Sequence, residues 1–412
     1  FRLFRRVTAS ILIVLLICYI IYLIFRPPPS LVHSGDRRWV AYNGFCVLPY
    51  FHAGPNVTIR LLDDALDHND LLLQEIPRDD PKLFHDGLTL LTHSSASSLD
   101  ERYLSNLITN WRGPISLAVL IEGIFNEYHV NQKISKALRT LKNANDAARL
   151  SVHIMFNKTG VKSKPCEESA YNLRQRSNRG AIVASYPINT VRNVARLFSS
   201  TRYIAFADGD YLFSSGFYHK MLSILRENSK LGSKVALLYR IFEVNDADSN
   251  RKNHNLTKTD LKGLIAKKKA RVFHEKKWSE GHSMPNLPEW LKEPESAHPE
   301  IFDLEISVKN RTAWEFQFAT LRDVPLFDEN FPYRADNNLE LRWEVCRAGY
   351  ELHSVQDLFV YHTITTKRKG KDDGGRKHMI KKKNYDIFVK AKKELIQRME
   401  RLYPDTMDEC PV

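Results

Sequence analysis

Short apolar runs alternating with longer stretches of helical spacing constrain the fold of this chain more than any other feature of its sequence. Ile115 to Ile121 (ISLAVLI) carries no charge and is too short for a helix, so it reads as a buried strand. Asn131 to Leu150 follows, with Ile134, Leu138 and Leu141 at the three- and four-residue steps of an amphipathic helix. Leu150 to Phe156 is the next strand, Asn189 to Phe198 the next helix, and Arg202 to Ala207 (RYIAFA) a third strand. Strands separated by helices pair in parallel and are covered on both faces. The expected fold is therefore α/β, a mostly parallel mixed sheet flanked by helices. With 412 residues, 43% of them hydrophobic, the chain has material for one large domain or two small ones, and for a stem.

Nineteen residues from Val7 to Phe25 carry no charge. At about 1.5 Å rise per residue they nearly span a hydrocarbon core of about 30 Å, which predicts a transmembrane helix. A cleaved signal peptide would end in small residues, whereas Arg26 and Pro27-Pro28-Pro29 follow here. Arg2, Arg5 and Arg6 on the short side predict a cytoplasmic tail at 1–6, a signal anchor at 7–25 and a lumenal remainder, although Arg26, Arg37 and Arg38 flank the other side. Residues 26–100 open with prolines and lack a long periodic pattern, so they read as a stem passing into the edge of a domain at 101–412. Cys18 lies in the anchor; Cys46, Cys166, Cys346 and Cys410 face an oxidising compartment and permit two disulfides in any of three pairings. Asn-x-Ser/Thr triplets open at Asn56, Asn157, Asn255 and Asn310, all on that side. The net charge of +13 asks for anionic partners. The anchor excludes nucleic acid and leaves phosphate-bearing donors and acidic glycans. The basic stretches at 267–271 and 367–383 read as solvated loops.

The chemistry concentrates where the third strand ends, at Asp208-Gly209-Asp210. Open α/β sheets bind ligands at such an edge, and two carboxylates there can share a hard divalent cation. Gly209 lets the backbone approach a ligand closely. Taken alone, the triplet is an ordinary polar turn. Other segments add to it: WRGPISLAVL from Trp111, YPINTVRNVAR from Tyr186, RYIAFADGD from Arg202, Trp314-Glu315, RDVPLFDENF from Arg322, and Phe359-Val360-Tyr361-His362.

Across residues 105 to 400 these blocks resemble, in order and spacing, glycosyltransferase family 49, the LARGE-like and β-1,4-glucuronyltransferase-like group of type II Golgi glycosyltransferases. The resemblance implies a GT-A-type domain, a UDP-sugar donor, Mn2+ or another divalent cation, inversion at the anomeric carbon, and a Golgi membrane protein with a lumenal catalytic domain. Asp208, Asp210 and His362 match the positions expected to hold the metal, and two carboxylates with an imidazole suit manganese. His362 reads otherwise as a core histidine at a strand end. Arg192 and Asn193 match the pair expected to shape the donor pocket, together with Asp208 and Asn337. The guanidinium there pairs with phosphate or a donor carboxylate, or else orients Asp208.

An inverting transfer needs a base for the acceptor hydroxyl proton. Glu315 is the first candidate, with Trp314 beside it as a face for sugar stacking. Asp336 is the second, and reads equally as the N-cap of a helix over Asn337 to Ala348. The stretch Tyr333-Arg334-Ala335-Asp336-Asn337-Asn338 departs from the family's glycine- and tryptophan-containing pattern, with Asn337 the surviving match, so the identity of the sugars does not carry over. Residues 245–299, long and Lys-rich, read as an acceptor-side insertion. The expected activity is transfer of glucuronic acid or N-acetylglucosamine from a UDP-sugar to a glycan or glycoprotein. The alternative is a catalytically silent relative that binds glycans or partners.

Overall fold

The computed structural model describes residues 32–33, 40–42, 45–48, 51–52, 58–59, 86–122, 127–142, 144–157, 186–199, 201–228, 234–245, 255–364 and 373–412. The expected tail and anchor, Cys166 and residues 367–372 of the basic stretch lie outside them. Among the described residues no helix is long and apolar enough to cross a membrane.

Numbered in chain order, the strands of the main sheet run from edge to edge as β1 (Val32–His33), β2 (Val40–Tyr42), β3 (Phe45–Leu48), β8 (Leu150–Asn157), β7 (Ile115–Leu120), β6 (Leu88–Ser95), β9 (Tyr203–Phe206), β14 (Gln317–Leu321), β11 (Val235–Asn245), β15 (Glu351–Ile364) and β10 (Tyr211–Phe213). β12 (Ala270–Val272) adds to β11 and β13 (Ile301–Asp303) to β15, while β4 (Phe51–His52) and β5 (Thr58–Ile59) form a separate ribbon. The block β8-β7-β6-β9 is parallel, as is the pair β11-β15. The other pairings are antiparallel, β14 and β10 among them, so the sheet is mixed rather than mostly parallel. The alternation of strand and helix was legible only between residues 115 and 210, and there the pairing is parallel. The strands beyond that stretch supply β14 and β10, which run against their neighbours.

Side chains alternate across the sheet. Ile115, Leu117 and Val119 face one core together with helices α1 (Glu101–Trp111), α2 (Glu127–Arg139) and α4 (Phe217–Glu227). Ala118 and Leu120 face the other, with α3 (Ile188–Leu197) and α8 (Leu339–Arg347). Each fully buried Leu or Ile contributes roughly 1.5–3 kcal/mol, and a one-residue slip would turn each side chain to the wrong face, so this alternation holds the register.

Two expectations need correction. Leu88–Ser95 fell within the stretch read as stem and domain edge, yet it is an interior strand with β7 on one side and β9 on the other. The helix expected over Asn131 to Leu150 spans Glu127–Arg139, followed by a short 3-10 turn at Ala144–Arg149. The asparagines and aspartate near 143–146 prefer local turns to helix interior, which explains the break.

Residues 258–292 are not a loose loop. They form α5 (Lys258–Ala266), α6 (Ser279–His282) and α7 (Leu287–Lys292), and Trp290 of α7 is fully buried against the Arg240 guanidinium and the Lys258 ammonium. Cys346 pairs with Cys410, and Cys46 is also disulfide-bonded.

Candidate active site

Because β6, β9, β11 and β15 are parallel, their C-terminal ends share one edge of the sheet, and antiparallel β14 begins at that edge. His93 lies near the end of β6, Asp208 just past β9, Asp210 just before β10, Glu315 just before β14, and His362 near the end of β15. The β10–β15 register sets Tyr211 opposite His362, so the residue before Tyr211 comes alongside the histidine. Asp210 Oδ2 and His362 Nε2 are 2.8 Å apart, a hydrogen bond across 152 residues of sequence.

Asp208 has a half-exposed side chain, with Oδ1 3.6 Å from His93 Nε2 and 3.8 Å from an Arg192 terminal nitrogen. Burial of the recess works against its charge, but the facing His93 nitrogen and the Arg192 charge outweigh it and hold its pKa at about 2. His93 itself is lowered by burial, so its ring is neutral at physiological pH. Its Nδ1 lies 3.0 Å from the Tyr186 hydroxyl. Thr92 Oγ1, beneath Gly209, is buried with no hydrogen-bond partner, the condition of a group that a ligand completes. Sequence reasoning missed Thr92 and His93 because LTLLT was not recognised as an interior strand.

Arg192 is nearly buried. One terminal nitrogen donates to Asn189 Oδ1 at 3.1 Å and to the Asn337 carbonyl at 2.9 Å, and the guanidinium lies 4.9 Å from the centre of the Phe327 ring. These bonds fix the cation beside Asp208. Asn337 accepts the Arg334 N–H on its side-chain oxygen, closing the turn that presents its carbonyl.

Glu315 accepts from Asn338 Nδ2 at 3.3 Å, and its main-chain N–H donates to the Gly281 carbonyl at 2.8 Å. Burial raises its pKa, opposed by Arg342, Asn338 and Arg192, while the charge of Asp208 reinforces the rise. Arg342 in turn donates to the Asn338 side chain at 2.7 Å, so an arginine–asparagine chain steadies the carboxylate. Neither Asn338 nor Arg342 carries a sequence signal of this role, since each acts through a side chain met only after folding.

Other expectations fail on geometry. The Asn193 amide donates to the Phe327 carbonyl and to Glu329, and its oxygen accepts the Phe327 N–H. Fully engaged inside the protein, it has nothing left for a nucleotide. Trp314 is 2% exposed in the core and offers no face to a sugar. Asp336 is exposed at φ 48°, and its carbonyl, not its carboxylate, receives the N–H groups of Leu339 and Glu340. The helix starts at Leu339 after Asn338, so Asp336 is not its N-cap. A Cβ at Gly209 would make only ordinary contacts, the nearest at 3.8 Å, so the protein itself does not require glycine there.

No group of three or more histidine, cysteine or acidic side chains is closed around one point among the described residues. The donor types nevertheless suit a hard cation. Asp208 is ionised, and Asp210 and His362 are partly open and hydrogen-bonded to each other at the tip of the edge.

A family described as glycosyl-transferase for dystroglycan matches residues 87–404. The β-1,4-glucuronyltransferase 1 of Danio rerio is 24% identical over 79% of this chain and 78% of its own length. A xylosyl- and glucuronyltransferase, LARGE2s of Danio rerio, is 22% identical over 67% of this chain and 31% of its own. Among solved structures, S. aureus TarS is similar over 68% of this chain and 37% of its own, with 11% identity and a TM-score of 0.37, too weak a likeness to bear on the fold. Because the family match runs through every strand of the site, from β6 to β15, the chain belongs to this family and is a glycosyltransferase.

Proposed function

We propose that the chain is a metal-dependent, inverting glycosyltransferase of GT-A type that moves a sugar from a UDP-sugar to a glycan or glycoprotein acceptor in the Golgi lumen. The convergence of Asp208, Asp210, His362, Arg192 and Glu315 on one sheet edge carries this reading. Glucuronic acid is the first donor sugar to test, because relatives carry that name, and N-acetylglucosamine the second. The uncharged stretch at residues 7–25 supports anchoring in the Golgi membrane.

Asp208, Asp210 and His362 would hold Mn2+ or a similar cation, which when bound neutralises charge on the departing diphosphate. Arg192, clamped by Asn189 and Asn337, adds a fixed positive charge to the same recess. Glu315 removes the acceptor hydroxyl proton as the new oxygen–C1 bond forms and the C1–O bond to the diphosphate breaks. Its raised pKa suits it to that task nearer neutral pH than an exposed carboxylate.

The purified chain is expected to release UDP from a UDP-sugar with Mn2+ and to stop on chelation. Asp208→Asn and Asp210→Asn should each lower turnover about a thousandfold, about 4 kcal/mol. Absence of metal-dependent UDP binding by the wild type across a donor panel would remove this reading.

A further inference from the structure

Beside Glu315 lies the segment that follows β12. β12 pairs with Phe242 to Val244 near the C-terminal end of β11, and directly after it the Phe273 N–H donates to the Ile241 carbonyl. The chain then reverses through His274, at φ 55°, and returns at Gly281, whose carbonyl receives the Glu315 N–H. The segment from Phe273 to His282 therefore touches the reactive edge at two points: the Phe273 ring centre is 5.8 Å from that of His362, and Gly281 is bonded to Glu315.

Three rings surround His282, with centres 4.9 Å (Phe273), 5.7 Å (His274) and 5.6 Å (Trp278) away. His282 is 6% exposed, and its Nδ1 is buried with no hydrogen-bond partner. Burial, with His274 adding to it and a hydrogen bond to the Glu315 backbone opposing it, lowers its pKa to about 4, so the ring is neutral and suits an uncharged hydroxyl better than a phosphate. Trp278 is only half-buried. Its ring is seated so close over Gly281 that a Cβ there would come within 2.4 Å of it, so the indole is held in one place with part of its surface open. A sugar ring has an apolar C–H face and a rim of neutral hydroxyls. A fixed indole and a neutral buried imidazole match those two features.

We infer that Phe273 to His282 forms the acceptor-sugar subsite, with Trp278 stacking on the sugar and His282 bonding one of its hydroxyls next to Glu315. The inference rests on the proposed transfer reaction, because Glu315 as base defines which side of the recess the acceptor takes.

The test uses the purified chain with Mn2+, UDP-glucuronic acid and UDP-N-acetylglucosamine as donors, and p-nitrophenyl β-xyloside and β-N-acetylglucosaminide as acceptor probes. Trp278→Ala and His282→Leu should each raise the KM or Kd for the acceptor glycoside at least tenfold. UDP affinity and the slow hydrolysis of donor without acceptor should stay within about twofold, and His282→Gln should recover part of the loss. UDP affinity also reports whether each variant is folded. Unchanged acceptor affinity in both variants, a parallel loss of UDP binding in folded protein, or failure of the wild type to bind either glycoside would each overturn the subsite. A wild type that neither binds nor hydrolyses any UDP-sugar would instead overturn the transfer reading, and the subsite with it.

Discussion

At the residue scale, the pH dependence of Glu315 follows from its surroundings. As the proposed base, Glu315 acts only when ionised, and burial raises its pKa above the 4.5 of an ordinary glutamate. As pH falls the carboxylate is therefore neutralised earlier than usual, and kcat/KM should decline on the acid side with an apparent pKa above that value. Asn338→Ala removes a donor to the charged form, so its acid limb should move to still higher pH. Glu315→Gln should lower transfer by about 10²–10⁴ while sparing UDP binding. Superimposable pH profiles for wild type and Asn338→Ala would show that Asn338 does not tune the base. His362 gains its place differently: its hydrogen bond to Asp210 follows from strand register, with no local sequence signal beyond the short block around it.

At the element scale, the decisive feature is the irregularity in β15. Leu238 pairs with Ser354 but Arg240 with Phe359, so five residues of β15 span what two residues of β11 span. The odd difference reverses the face that each later side chain takes, His362 included. Asp357 sits in this bulge at φ 60° and is fully buried. Lys258 Nζ lies 2.9 Å from Oδ1, and the Ser296 N–H donates to Oδ2 at 2.6 Å. Lys258→Met would strand a buried carboxylate and should cost about 3–5 kcal/mol in urea unfolding, with Asp357→Asn on that background restoring much of it. A loss below about 1 kcal/mol would mean the ion pair does not hold the bulge.

For the whole molecule, the Cys346–Cys410 bridge ties the chain's end to α8, the helix that carries Arg342. It closes a loop across a sequence separation of 64, which corresponds to about 4 kcal/mol of chain entropy removed from the unfolded state. Replacing both cysteines by serine should lower unfolding free energy by about that amount and leave the activity of the folded protein at 25 °C nearly unchanged; equal unfolding midpoints would contradict this. The β7, β8 and β9 segments, the acidic pair and the family blocks were legible because each is local: an apolar period, a strand ending in carboxylates, a short ordered string. Trp314 and Asn193 were misjudged because a residue type tells what it can bind, not which way it faces or what has already engaged it. By itself the sequence determined the strand–helix units and the chemistry available at their ends. Only tertiary structure decided that β6 lies inside the sheet and β14 runs against its neighbours, and that a bulge turns His362 to Asp210. Strand neighbours and faces follow from contacts between residues far apart in the chain, which no local period encodes.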